Sequence, residues 1–361
     1  MAAEHRASLL SCPFVSIIFS TEAVAKGEDF RYFRLGSKRH TVFDLVVSFF
    51  HLMAKRAPRS GFCRSQLTKL YPFESHYFDL DGLRCHYVDE QRPRSAKNRE
   101  TLLMVHGNPT WSFYWRNLIT AFRDRYRVVA VDHIGCGLSD KPSEAEYPFT
   151  LERRIDDLVR LIDGLDLQRI TLIAHDWGGA IGMGAACRLP ERFDRFVLMN
   201  TAAFRSPLCP LRIRLCRLPF FGRLAIQGLN LFSLATLWMA TARWRNLTHD
   251  VRAGLLAPYD SWANRTAVYR FVQDIPLSSK HPSFATLAGI EEKLPSFRNK
   301  PICLVWGMLD WCFSPEFLKR FLQFFPEADV HRLEQAHHLL VEDAPENVIE
   351  AIGGFLVGRH G

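Results

Sequence analysis

The stretch Ile173–Ala180 (IAHDWGGA) carries an acid where a run of branched residues gives way to a helix-like segment. Ala174 and Gly178 are the small residues two places either side of Asp176, the spacing of a strained strand-to-helix turn that displays its central side chain. A carboxylate displayed there is already ionised at neutral pH and needs no base to activate it. It attacks an electrophilic carbon and leaves a covalent ester. A strand-end aspartate is also a common helix cap, so the reading depends on what else converges on the turn.

Three further segments supply the missing chemistry. His106-Gly107-Asn108-Pro109-Thr110-Trp111 follows the apolar run Thr101–Val105. Its Asn108 amide and the Trp177 indole offer two neutral N–H donors for an anion that develops on a leaving group, and neutral donors release the anion again. The main-chain N–H of Trp177 suits a tetrahedral intermediate. Breaking an aspartyl ester requires a water and a base steered by an acid. His337 and His338 follow the run Val330–Leu333, and Asp310 follows Ile302–Trp306. Asn200, at the end of Phe196–Met199, cannot supply negative charge, so Asp310 is the better orienting acid. The chain order nucleophile, acid, base suits the strand-turn-helix context.

These groups need a sheet whose carboxyl edge gathers them. Short apolar runs at Thr101–Val105, Tyr126–Val131, Ile170–Ala174, Phe196–Met199 and Ile302–Trp306 alternate with helical patterns, which predicts a doubly wound α/β fold with helices on both faces of a mostly parallel sheet. A hairpin is predicted about Asp81-Gly82. Between Thr201 and Lys300 no strand pattern occurs, only apolar residues at helical spacing, too long a stretch for a loop. The predicted organisation is an amino-terminal extension over residues 1–70, a core over 71–201 and 300–361, and a helical cap over 202–299.

The 361 residues are 48% hydrophobic with a formal net charge of +8. The basic residues are scattered, with clusters at Arg212–Arg217 (RIRLCR) and Arg243–Arg245, which fits a mildly basic surface facing an acidic membrane or partner. No nucleic-acid reader motif is present, so a nucleic-acid partner is not expected. The nine cysteines lack CxxC spacing and read as free thiols of a reducing, cytoplasmic compartment. No apolar run reaches the length of a membrane span. Leu9–Phe19 followed by Ala23-Val24-Ala25 has the outline of a signal peptide, but Glu4 and Pro13 argue against export. Val42–Leu52 fits a helix lying on a membrane surface. The favoured expectation is that residues before Met53 are poorly ordered or precede the true start. No HExxH pattern or glycine-rich phosphate loop occurs, so neither a metal nor an organic cofactor is expected.

HGNPTW, AHDWGG, GMLD and AHHLLVEDAPE together resemble the haloalkane dehalogenase family of α/β-hydrolases, over roughly Leu70 to Leu356. The resemblance implies Asp176 as nucleophile, Asn108 and Trp177 as the pair holding the departing anion, Asp310 as acid and His338 as base. HGNPTWSFYWRNL, VDHIGCGLSDKP, NTAAF and APYDSWANRTAVYRFVQDIPL resemble its third subfamily, to which β-lactone decarboxylases of bacterial long-chain olefin biosynthesis belong. That implies decarboxylation of a cis-dialkyl β-lactone to a cis-alkene and carbon dioxide, a hydrophobic substrate, and assembly with other olefin-forming enzymes. Dehalogenation of 1-haloalkanes is the alternative. Epoxide hydrolysis would need cap tyrosines such as Tyr259 or Tyr269, and an idle scaffold subunit would not need the intact set of Asp176, Asp310 and His338.

Overall fold

The computed structural model describes residues 32–35, 38–41, 64–91, 100–242 and 247–358. It divides into two units, Met1–Ala57 and Pro58–Gly361. In the first, Tyr32–Leu35 and Lys38–Thr41 form an antiparallel pair. The signal-like run, the Val42–Leu52 segment and the Arg243–Arg245 cluster lie outside the described residues.

The second unit is built on eight strands: β1 (His76–Leu80), β2 (Leu83–Glu90), β3 (Thr101–Val105), β4 (Arg127–Val131), β5 (Ile170–Asp176), β6 (Phe193–Thr201), β7 (Ile302–Gly307) and β8 (Asp329–Leu333). Their order across the sheet is β8-β7-β6-β5-β3-β4-β2-β1. The pairs β1/β2 and β2/β4 are antiparallel and the rest parallel. Asp81 and Gly82 turn the first hairpin with φ of 58° and 85°, the left-handed pair that matches the twist of two antiparallel strands.

Period-two alternation sorts the side chains of the central strands. Leu103 and Val105 of β3 pack into one core with Ile155 of α1 (Leu151–Gly164) and Ile181 of α2 (Trp177–Ala186). Leu102 and Met104 face the other core. Strand β3 is buried along its whole length, as expected of a strand covered on both faces, whereas the edge strand β8 is half exposed. At their carboxyl ends strands β5, β6 and β7 run one or two residues beyond the apolar runs that mark them, and those added residues carry the polar groups of the site.

Between β6 and β7 the described chain is helical. It includes α3 (Leu211–Cys216), α4 (Leu231–Met239), α5 (Thr266–Gln273) and α6 (Pro282–Lys293). Ile213, Leu237, Val268 and Val272 from this stretch share a core with Ile173 of β5 and Val305 of β7. Arg154 of α1 is fully buried, lies 3.7 Å over the Phe271 ring of α5, donates to the Phe149 carbonyl at 2.6 Å and stands 3.5 Å from Asp274. Beyond β7 follow α7 (Pro315–Phe324) and α8 (Pro345–Val357). The helix Arg64–Leu70 packs Leu67 and Leu70 on the same core. No helix among the described residues is long and apolar enough to cross a membrane.

Candidate active site

Asp176 is the last residue of β5 and the residue before α2, with φ 54° and ψ −127°. That left-handed backbone is uncommon outside glycine and turns the side chain out of the strand direction. Its side chain makes no capping bond to α2, so the helix-cap explanation does not apply. Two glycines make the turn fit. A Cβ on Gly107 would come within 2.1 Å of Asp176 Oδ1, and one on Gly178 within 2.0 Å of the Val105 carbonyl. The Thr201 hydroxyl donates to the Asp176 carbonyl.

The two carboxylate oxygens of Asp176 have different surroundings. Oδ1 accepts the main-chain N–H of Asn108 at 2.7 Å, and Oδ2 lies 3.5 Å from His338 Nε2. On the far side of the imidazole, His338 Nδ1 donates to Asp310 Oδ2 at 2.8 Å. Asp310 is itself fixed: Asn200 Nδ2 donates to Oδ2 at 2.9 Å, and the Cys312 N–H to Oδ1 at 2.6 Å. Asn200 is locked in turn to both the carbonyl and the N–H of Gly307. The sequence thus assigns Asn200 no charge, while the fold makes it the clamp on the acid. His337 points elsewhere: its N–H donates to Asp343, and its ring lies toward the Met239 carbonyl.

Charge in this row is balanced by position. Burial on its own lowers the His338 pKa, but Asp310 and Asp176 on either side outweigh it and raise it to about 10. Burial likewise pushes Asp176 upward. The close positive charge of His338 reverses this, helped by His175 and the Asn108 N–H, and holds it below the usual carboxylate range. His175, behind the row, is dominated by burial, with a pKa lowered to about 3. It stays neutral and donates from Nε2 to the His338 carbonyl at 2.8 Å.

The loop carrying Asn108 is held by a second histidine pair that the sequence reading missed. The His133 N–H donates to His106 Nε2 at 3.1 Å, which leaves the proton of His106 on Nδ1, where it donates to the Gly107 carbonyl at 2.7 Å. His133 Nε2 donates to the His106 carbonyl at 2.9 Å. Burial lowers the pKa of both rings, so the clamp is neutral. The Asn108 side chain donates from Nδ2 to the Val268 carbonyl of α5 at 3.1 Å, while its Oδ1 is buried with no partner. One amide hydrogen is therefore spent on the cap.

Asp176, Asn108 and Trp177 line a pocket of about 900 Å³ including its mouth, walled by apolar residues such as Phe204, Ile213, Phe232, Val272 and Phe317. Walls of that chemistry suit an apolar molecule, with the polar groups confined to the end at Asp176. Tyr259 is buried with its hydroxyl on the Thr110 carbonyl, and Tyr269 lies beneath Arg223; neither lines the pocket. The hydroxyls required by the epoxide reading are therefore not in the pocket wall beside Asp176.

Residues 100–345 match the family model described as alpha/beta hydrolase fold. The cis-3-alkyl-4-alkyloxetan-2-one decarboxylase of Shewanella oneidensis is 41% identical over 294 residues, covering 80% of this chain and 90% of that protein. Haloalkane dehalogenase 2 of Mycobacterium tuberculosis is 34% identical over 289 residues, covering 79% and 95%. The crystal structure of haloalkane dehalogenase DbeA from Bradyrhizobium elkani superposes with a TM-score of 0.71 at 25% identity, covering 79% of this chain and 98% of that one.

Proposed function

The chain belongs to the α/β-hydrolase family, in the group holding the haloalkane dehalogenases and the cis-3-alkyl-4-alkyloxetan-2-one decarboxylases, and from that premise we propose that it decarboxylates cis-dialkyl β-lactones to cis-alkenes. The observation that carries the reading is the displayed Asp176: one oxygen is anchored by the Asn108 N–H, and the side chain lines an apolar pocket. Oδ2 attacks the ring carbon that bears the lactone oxygen, from the face opposite that bond. The carbon–oxygen bond breaks and a free carboxylate forms, received by the Trp177 indole and the Asn108 amide. The bond to that carboxylate then breaks; its electrons form the alkene, the aspartyl–carbon bond opens, and carbon dioxide leaves. One inversion followed by an anti elimination keeps the alkyl groups cis.

No water or proton is consumed in this sequence, and the buried charge stays constant: the negative charge of Asp176 passes to the substrate carboxylate and returns. The imidazolium of His338 faces that charge throughout. A second reading, hydrolysis of 1-haloalkanes, is favoured by the same histidine. Once Asp176 is esterified, His338 loses one of the two carboxylates that keep it protonated, its pKa falls, and it becomes a base for water. The base is thus armed only after the ester exists.

The test is to incubate purified protein with a cis-dialkyl β-lactone, 1-bromobutane and styrene oxide, measuring alkene, bromide and diol. The expected product is cis-alkene, abolished in Asp176→Ala. Bromide release without alkene selects the dehalogenase reading, and no product from any substrate sinks both.

A further inference from the structure

The segment between Leu208 and Leu229 carries a surface that the chemistry at Asp176 does not explain. Of the thirteen large apolar side chains exposed among the described residues, eight lie within it. Phe220 is 90% exposed, Leu211 64% and Leu224 56%. Scattered apolar side chains are ordinary on a protein surface; a contiguous run of them is not. Phe220 also has φ 58°, a conformation that a bulky residue adopts only under constraint, and here the constraint holds an aromatic ring out in solvent.

The same segment holds Arg212, Arg214, Arg217 and Arg223 and no acidic residue. Arg214 and Arg217 donate to main-chain carbonyls, and neither has a carboxylate within ion-pair distance among the described residues. The patch is continuous with the pocket mouth. Leu208 and Leu277 are exposed at 51% and 38%, and both also line the cavity that reaches Asp176.

We propose that the 208–229 face docks on an anionic phospholipid bilayer and passes apolar substrate from the lipid directly into the pocket. Interleaved arginine and apolar side chains match the chemistry of an anionic interface, in which rings and leucines enter the acyl boundary while guanidinium groups meet phosphates. A dialkyl substrate partitions into lipid rather than water, so a mouth rimmed by the inserted residues shortens its path; this part rests on the function proposed above.

The test is co-sedimentation of the full chain with phosphatidylcholine vesicles with and without phosphatidylglycerol, alongside turnover of detergent-dispersed cis-dialkyl β-lactone. Binding is expected to be stronger on the phosphatidylglycerol vesicles. F220E combined with L224E is expected to lower it by about tenfold or more. R214Q is expected to lower it by about fivefold, on the anionic vesicles alone. Wild-type protein that turns over lactone but ignores vesicles overturns the docking face and leaves the function intact. Vesicle binding without turnover supports the face and sinks the function. A solution dimer that F220E with L224E splits, with no lipid binding, assigns the face to a second copy and overturns the proposal.

Discussion

Replacing His338 with glutamine separates the two halves of the site. The substitution removes an imidazolium 3.5 Å from Asp176 Oδ2 and 2.8 Å from Asp310. Opposite unit charges near 4 Å attract by about 4 kcal/mol at the effective dielectric of a protein site. Without that attraction burial dominates at Asp176 and its pKa rises, so the displacement step acquires an acid limb that the wild type lacks. Removing a general base costs about 10² to 10⁴ in the step it serves. With 1-bromobutane the variant is therefore expected to stall after one equivalent and hold an alkyl ester on Asp176. With a cis-dialkyl lactone no ester is hydrolysed, so alkene formation continues, slowed by about 10² for loss of an electrostatic stabiliser. The assay is intact-mass analysis of quenched mixtures between about pH 5 and pH 8, with circular dichroism to check folding. Where the wild type releases bromide, a folded variant that forms no ester at any pH refutes the role of His338, and one that forms it at a rate independent of pH refutes its coupling to Asp176.

Other expectations concern the neighbours of that pair. Gly107→Ala forces a methyl group against Asp176 Oδ1 and is expected to lose about 10² or more of turnover while the far-ultraviolet spectrum is kept; a fully active variant would show that the loop gives way freely. The histidine also leaves a signature in stability. Its folded pKa of about 10 lies above the ordinary 6.5, so its contribution is complete below about pH 6.5 and drains away as pH climbs through about 10. Asp176, with a depressed pKa, contributes in the opposite sense and loses its share only on acidification. The gap in Tm between wild type and His338→Gln is therefore expected to narrow between about pH 7 and pH 10; a gap that widens over that range contradicts the sign.

The sheet was legible because β-branched runs and their punctuation are local, and Asp176 was legible because the small residues around it are sequence neighbours. The supports were not. Asn200 holds Asp310 across 110 positions, and His106 meets His133 across 27, contacts that leave no periodic trace in the chain. Asn108 was recognised by its side chain, yet its main-chain N–H holds Asp176 while the amide partly serves Val268. A main-chain donor has no residue type to betray it. Of the two adjacent histidines, the residues alone left both open; only the fold turns one toward Asp310 and the other toward Met239.

Arg154 has a consequence for how the molecule comes apart. The Arg154 guanidinium is sealed between the Phe271 ring and Asp274, and removing Asp274 while the guanidinium stays buried costs about 3 to 5 kcal/mol. Helix α5 is thereby fastened to α1, and melting it alone would forfeit both contacts. Calorimetry of the Pro58–Gly361 unit should therefore record one cooperative transition, the helix over the pocket melting with the rest.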